Sequence, residues 1–496
     1  MPSLHESLCE CLDLLGRQAM AWAELDAVAK DGATVGPALA EAIALGPLPA
    51  ARALALAVRG TAALERGAPP PLPGPVRAMH GRRELSVLPA LPYDRLLFRG
   101  YRCDVRLGPG PVQRMPLPPQ GTALVLGAGN LSSIPIADLL TALMRGQRSV
   151  LVKLHPLHRH LLPLFEQVFA PLRALGCGFV CGGAEEGERL LRDASIGHVH
   201  LTGSRATFAR VRETLASRPH VTVTAELGNV TPVIVVPGRF TGAELRATVD
   251  ELTAMLCING GFNCATPRVI VTARAWPQRE AFLDLLRTSL RGARRRRAWH
   301  PGCVERLTAA VPSVALEDDR LPFTLIEAVD PDSERPEFRT ECFGPLAFEV
   351  PLRDRDPCAF LRSAVGFCNQ RLEGELVAHL MVARDGLRRD RAAIDEAVDA
   401  LAHGTVAVCG FGALAFAWMS APWGANRRSG LGFAHDPYLL ADPLKTVVRA
   451  PAVAWPRPPW REGVHHAADT LRHILTLTLA PSLPRALRAA CSALRR

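Results

Sequence analysis

The chain has 496 residues, of which 48% are apolar and 21% charged, the proportions of an ordinary globular protein. They exclude a disordered, collagen-like or disulfide-stapled chain. At roughly 100 to 200 residues per domain, two to four domains are expected, each able to bury its own core.

Basic residues number 58 against 48 acidic, a net charge of +10, so the surface attracts anions such as nucleotide phosphates, coenzyme A, acidic lipid or nucleic acid. Charge alone does not choose among them. Only Lys30, Lys153 and Lys445 are lysine, which leaves 55 arginines; a position that keeps lysine in such a chain points to a need for a compact, mobile ammonium. Thirteen cysteines without regular spacing fall far below a disulfide scaffold and fit a reducing compartment. The opening MPSLHESLCECLDLLGRQ carries early acids and no basic segment leading into an apolar one, and no uninterrupted apolar run reaches about 18 residues. A soluble, cytoplasmic protein is expected.

Residues 1 to about 68 alternate Leu/Ala-rich stretches at helical spacing with glycine breaks, and APPPLPGP (68–75) ends regular structure. From about 121 the pattern turns to short β-type runs: TALVLG (122–127), SVLVK (149–153), GFVCG (178–182) and HVHLTG (198–203). Helical stretches lie at 132–145, 158–175, 184–192 and 205–216. Such alternation predicts a parallel sheet with helices on its faces. A second series starts near 232 with PVIVV (232–236), a helix over 242–257, PRVIV (267–271) and a helix over 277–291.

The basic run RGARRRR (291–297) reads as a solvated helix end or loop. Without aromatic partners or a known module it gives no nucleic-acid site. After 452 a Pro/Trp linker leads to two helical stretches split by PSLP (481–484). The basic amphipathic end, PRALRAACSALRR, is expected to pack on the body of the protein rather than on an anionic membrane.

GAGNLSS (127–133) follows a strand and opens a helix, where a dinucleotide loop would lie, although Ser132 replaces the third glycine. Asn130 within it either caps the helix or donates its carboxamide to a developing oxyanion. NGGFNCATPRVIV sets Cys264 after a glycine-rich turn and shortly before a strand; backbone N–H groups there stabilise a thiolate, as a nucleophile requires. Glu226, in TAELGNVTPVIVV, sits between an apolar strand and a glycine turn. A carboxylate there needs an ion pair or a task as general base.

The order of these pieces resembles the aldehyde dehydrogenase superfamily. Asn130 lies in a strand-to-helix turn, Lys153 ends the next strand, and Thr202-Gly203-Ser204 follows another; Glu226-Leu227-Gly228, Cys264 and Glu341-Cys342-Phe343-Gly344-Pro345 come after them. Asn130 precedes Lys153 by 23 positions and Glu226 by 96, and Glu226 precedes Cys264 by 38, spacings similar to the family's. WGANRRSGLG (423–432) and LKTVVRAP (444–451) resemble its late Gly-rich stretch and its C-terminal oligomerisation strand, so the likeness covers about 120 to 452.

The resemblance implies an α/β fold with a doubly wound, Rossmann-type cofactor domain, a second α/β catalytic domain and a small oligomerisation element. The spans are a helical lead-in with part of the bridging element (1–120), an NAD(P)-binding domain (121–235), a catalytic domain (236–440), an oligomerisation strand (441–452) and a basic helical tail (453–496). The bridging element itself would combine about 98–118 with 444–452. A homodimer or homotetramer is implied as well.

By the same resemblance, Cys264 attacks the carbonyl of a small-molecule aldehyde, and the Asn130 amide and Cys264 N–H hold the oxyanion. Glu226 then deprotonates the water that hydrolyses the thioester. Lys153 and Glu341 would grip the adenosine and nicotinamide riboses of NAD or NADP, with Gly203 and Ser204 at the pyrophosphate and Phe343 beside the cofactor. Lys445 falls in the oligomerisation strand; nothing in the sequence explains Lys30.

The departures carry information too. Gly127-Ala128-Gly129 stands where the family has aromatic and proline residues, implying a wider substrate mouth. Leu154-His155-Pro156-Leu157-His158-Arg159 lacks the family's carboxylate after the lysine, which leaves NADP open, with His158 or Arg159 available to its 2′-phosphate. No metal is expected at HPLHRH (155–160). The 77 positions from Cys264 to Glu341 imply a trimmed catalytic domain. Two alternatives share the fold: a coenzyme A-dependent acylating enzyme, against which Glu226 argues, and a catalytically silent scaffold.

Overall fold

A computed structural model describes residues 2–79, 81–110, 112, 121–147, 149–425, 433–441, 443–451 and 466–494. The Pro/Trp linker and residues 426–432 of the late Gly-rich stretch lie outside the described residues.

The lead-in folds as α1 (Leu4–Asp31), α2 (Gly36–Leu45) and α3 (Pro47–Leu64). Ser3 and Glu6 form a capping box at the start of α1, each side chain accepting from the other's backbone N–H, and Gly32 ends the helix in the left-handed region at φ 70°. Residues 36–64 are apolar enough to span a membrane by composition, yet most of that stretch is buried inside the molecule. Here α3 packs on α1 and on the helix that follows the first dinucleotide-type loop.

Next come β1 (Val76–Met79), β2 (Arg82–Ser86), α4 (Asp94–Leu97) and β3 (Arg102–Leu107). The first α/β series follows: β4 (Thr122–Leu126), α5 (Ile134–Met144), β5 (Ser149–Leu154), α6 (Leu162–Val168), β6 (Gly178–Cys181) and α7 (Ala184–Leu191). It ends with β7 (Ile196–Gly203), α8 (Arg205–Thr214) and β8 (Thr222–Leu227). These five strands form a parallel sheet in the order β6-β5-β4-β7-β8. Their continuous apolar runs suit a sheet covered on both faces. The helical stretch predicted over 158–175 is instead a 3-10 turn, α6 and a second 3-10 turn, because Pro156, Pro163 and Pro171 each remove a backbone donor.

The second series opens with β9 (Pro232–Val235), α9 (Gly242–Cys257), β10 (Val269–Ala273) and α10 (Arg279–Gly292). Its sheet has ten strands, ordered β1-β2-β3, then 443–449, 405–408 and 377–381, then β9-β10, then 346–352 and 324–326. The chain leaves the first sheet after Leu227 and enters the second at Pro232. Residues 102–107 and 443–449, the strands of the expected bridging element, pair antiparallel with each other and join this same sheet, where 443–449 runs parallel to 405–408.

One part of the basic run departs from its sequence reading. Arg296 is buried at 4% exposure and pairs with Asp31 at 2.9 Å and Glu41 at 2.6 Å, while Arg294, Arg295 and Arg297 stay partly exposed. Two carboxylates on the helical lead-in turn that arginine inward. The tail forms helices Ala467–Leu479 and Leu483–Leu494; the first packs on α2 and α3, and the second buries Ala486 and Ala489.

A second buried ion pair ties the lead-in to the body. Arg52 in α3 donates to Asp94 in α4 through two bonds of 2.9 and 3.0 Å, and its Nε donates to the Trp418 carbonyl at 3.0 Å. Removing one partner of such a pair strands the other in the interior. Arg52→Met should therefore destabilise the protein by about 3–5 kcal/mol in urea unfolding; a loss under about 1 kcal/mol, the size of an exposed pair, would contradict the assignment.

Candidate active site

Asn130, Lys153, Gly203, Ser204, Glu226, Cys264, Glu341 and Phe343 all line one cavity of about 680 Å³. The eight residues for which the resemblance implied catalytic or cofactor-binding roles are thus brought to one place. They come from the ends of β5, β7 and β8 and from the loops before α5, before β10 and before strand 346–352.

The turn before Cys264 is tightly constrained. Asn259, Gly260 and Gly261 are all left-handed, at φ 56°, 67° and 78°, and a Cβ on Gly261 would lie 2.7 Å from the Gly344 carbonyl oxygen. Only glycine fits there. Thr231 Oγ1 donates to the Cys264 carbonyl at 2.8 Å, fixing the backbone beyond the turn.

Cys264 is half-buried, and its thiol donates to Glu226 Oε1 at 3.4 Å. The other carboxylate oxygen of Glu226 accepts from Trp423 Nε1 at 2.8 Å. Burial pushes Glu226 up to about 8, with the Asp138 carboxylate adding to the rise and the bonds from Cys264 and Trp423 opposing it. Burial also holds the Cys264 thiol well above its ordinary value, reinforced by the carboxylates of Glu226 and Glu341. The resting pair is therefore a neutral thiol beside a carboxyl that titrates close to neutrality, an arrangement suited to general-base activation of a nucleophile.

Asn130 does not cap a helix: α5 begins at Ile134, with Ser133 at the cap position. Its Nδ2 donates to the Phe262 carbonyl at 3.1 Å, two residues before Cys264. The Asn130 carbonyl accepts from Asn259 Nδ2 at 3.1 Å and from Lys30 Nζ at 3.0 Å. The loop carrying Asn130 and the cysteine turn are thereby stitched together. Gly129 must be glycine for the loop to seat, because a Cβ would fall 2.5 Å from the His155 ring.

Lys153 is buried near the end of β5, its ammonium makes no hydrogen bond or ion pair with the described residues, and burial lowers its pKa. Ser204 caps α8, its Oγ accepting from the Thr207 N–H at 3.1 Å, and Gly203 ends β7 beside it. Glu341 accepts from Arg268 Nη2 at 3.4 Å and from the Asn229 N–H at 3.3 Å. Burial lifts Glu341 to about 7 against the pull of Arg268. Phe343 follows at φ 45°, its ring edge-on to His300 at 4.8 Å. An ammonium without a described partner, a helix N-terminus and a glycine-lined wall suit a dinucleotide, whose phosphates need close backbone approach.

His158 and Arg159 do not serve as expected. The 3-10 turn after Pro156 points His158 into the core at 1% exposure, where burial lowers it to about 3, and leaves Arg159 exposed; neither lines the cavity. His155 lines it instead.

Residues 157–298 match the sequence model of the aldehyde dehydrogenase family. The structure is similar to an indole-3-acetaldehyde dehydrogenase in complex with NAD+, at TM-score 0.64 and 16% identity over 90% of this chain and 83% of that one. It is also similar to the aldehyde dehydrogenase KauB of Pseudomonas aeruginosa, at TM-score 0.64 and 17% identity over 90% and 83%. A putative aldehyde dehydrogenase of Burkholderia cenocepacia gives TM-score 0.62 and 21% identity over 90% and 87%. No curated protein sequence matches the chain. The chain has the aldehyde dehydrogenase fold.

Within this aldehyde dehydrogenase fold, sequence reasoning missed the groups that support the site. Trp423 was visible only as part of a Gly-rich motif, and its indole reaches Glu226 across 197 positions. Arg268, one of 55 arginines, holds Glu341 and donates to the carbonyls of Gly261 and Gly344. Asp138 accepts from Thr202 Oγ1 at 3.2 Å behind Glu226. Trp423→Phe removes the indole donor, so Glu226 should ionise above about 8. The pH profile of Cys264 alkylation by iodoacetamide should shift to higher pH accordingly; an unmoved profile would show that the indole contact does not act on the carboxylate.

Proposed function

We propose that the protein oxidises a small-molecule aldehyde to the carboxylic acid with NAD or NADP, through thiohemiacetal and thioester intermediates on Cys264. The observation that carries this reading is the bond from the Cys264 thiol to buried Glu226 in a cavity shared with Asn130 and a dinucleotide-type wall. The similar indole-3-acetaldehyde dehydrogenase, a complex with NAD+, supports the cofactor class. The reading includes a homodimer or homotetramer in the cytoplasm.

Glu226 takes the thiol proton as Cys264 Sγ bonds to the carbonyl carbon, and the oxygen charge falls to the Asn130 carboxamide and the Cys264 N–H. The bond that Asn130 already makes to Phe262 uses one of its two amide hydrogens, leaving the other for the oxyanion. A bound nicotinamide dinucleotide supplies the acceptor for the hydride that the thiohemiacetal loses. Lys153, Ser204 and Glu341 hold the dinucleotide, and Phe343 walls its cleft. What remains on Cys264 is a thioester. Glu226, having released its first proton, then deprotonates the water that attacks the thioester carbon, and Cys264 leaves as the thiol of the resting pair. A carboxylate kept this close to the sulfur favours hydrolysis over transfer to an external thiol such as coenzyme A.

Cys264→Ala should abolish turnover without unfolding the protein, and Glu226→Gln should lower steady oxidation by about 10² to 10⁴ while a slowed burst of reduced cofactor persists. A panel of short, long-chain and aromatic aldehydes with either dinucleotide, with and without coenzyme A, tests both. Strict dependence on coenzyme A would overturn hydrolysis. Because Glu226 must be ionised to act and titrates at about 8, turnover should rise as pH increases through that value and be lost below it. Stability runs the other way. The contribution of Glu226 is complete below its ordinary 4.5 and disappears as pH rises through about 8. A pH-independent rate between 6 and 9 would remove Glu226 as the base.

A further inference from the structure

Lys30 is one of three lysines in a chain with 55 arginines. It lies in the last turn of α1, buried at 7% exposure and outside the cavity lining. Its Nζ donates to the Asn130 carbonyl at 3.0 Å, pairs with Asp26 Oδ2 at 3.3 Å and sits 5.1 Å from the centre of the Trp299 ring. Asp26 is held in turn: Ser132 Oγ donates to it at 2.9 Å, Trp22 Nε1 donates to Ser132 Oγ at 2.9 Å, and His160 Nε2 lies 3.5 Å away. Burial alone would raise Asp26, but Lys30, His160 and Ser132 outweigh it and hold the carboxyl well below its usual range.

An ammonium suits this place because it must satisfy a carboxylate, a carbonyl and an aromatic face from a single point. The planar fork of arginine spreads its donors. The contact has an evident mechanical effect. Asn130 carries its carboxamide toward the cavity and its carbonyl toward Lys30, so fixing the carbonyl fixes the direction of the side chain. Asn259 Nδ2 supplies a second, neutral donor to the same oxygen, at 3.1 Å. Lys30 supplies the charge-assisted one, roughly twice as strong.

We propose that Lys30 is a positioning residue for aldehyde oxidation, anchoring the Asn130 peptide from behind so that its carboxamide is pre-aimed at the oxyanion. This rests on the reaction proposed above. An oxyanion donor acts only near 2.7–3.1 Å from the developing charge, and a misplacement of about 1 Å costs on the order of 10²-fold. Helix α1 delivers the ammonium as a rigid part, with Asp26 one turn earlier on the same face. Through Lys30, the helical lead-in thereby helps to position the Asn130 carboxamide.

The test is a double-mutant cycle on the full chain with Lys30→Met, Asn130→Ala and the double variant. Lys30→Met should lower kcat about 10- to 100-fold, leaving KM for the dinucleotide within about twofold. In the Asn130→Ala background the same change should alter kcat less than about twofold, because nothing is left to aim. Equal losses in both backgrounds, or no loss in either, would overturn the proposal. Asp26→Asn guards against general unfolding: it removes the ion pair and keeps the ammonium bond to Asn130, so it should lower the melting temperature while kcat stays within about threefold. A kcat loss matching that of Lys30→Met would overturn the proposal in favour of a structural role. Wild-type inactivity toward every aldehyde in the panel would be a different failure, removing the reaction itself and this role with it.

Discussion

A carboxyl group buried beside a thiol, which the proposed reaction requires to gain and lose a proton in each cycle, sets the terms for the rest of the site. Glu226 has lost nearly all its water, and a buried carboxylate without partners is several kcal/mol too costly to persist ionised. Two neutral donors, the Trp423 indole and the Cys264 thiol, compensate only in part. A cationic partner would pull the carboxyl down and make it a weaker base. Arg268 shows the contrast: it sits on Glu341 and pulls against the burial that lifts that carboxyl to about 7, whereas among the described residues no arginine bonds to Glu226. In the proposed reaction Glu226, held by neutral donors at about 8, is the base, and Glu341, tied to Arg268 at about 7, is the binding group.

The architecture explains why such distant residues meet. In a parallel sheet all strands end on one side, and ligands bind beyond those ends. Lys153, Gly203 and Glu226 lie at or near the ends of β5, β7 and β8, so register alone brings them together: Thr202 pairs with Glu226 across β7 and β8. Cys264 belongs to the other sheet's approach, in the turn before β10. The crossing from Leu227 to Pro232 is therefore short for a reason. It carries Glu226 at one end and, through Thr231 Oγ1, the anchor of Cys264 at the other.

Much of this was legible because its signals are local or ordered along the chain. Apolar runs of strand length alternating with helical stretches place β4 to β7, β9 and β10 to within a few residues, and the ordered motifs from Asn130 to Phe343 converge on one cavity. What stayed hidden depends on side chains whose partners are far away. Nothing in RGARRRR distinguishes Arg296 from its neighbours until Asp31 and Glu41, more than 250 positions earlier, are in place. His158 looked available to phosphate because periodicity cannot show that a proline-led 3-10 turn rotates it inward. Lys30 offered only rarity as a signal.

The same long-range contacts give the lead-in helices a purpose beyond covering the core. Glu41 in α2 accepts the Asn259 N–H at 2.7 Å and is itself held by Arg296. Asn259 is the non-glycine residue in a left-handed run, a conformation costing about 1–3 kcal/mol that persists only where its surroundings over-determine it. Glu41 supplies that restraint from one side, and Asn259 passes it on through Nδ2 to both the Asn130 and Phe262 carbonyls. Lys30 acts on the first of these carbonyls and Glu41 on the residue that joins them. The turn before Cys264 and the loop carrying Asn130, which belong to different sheets, thus share one external brace, and any movement of α1 or α2 must alter both.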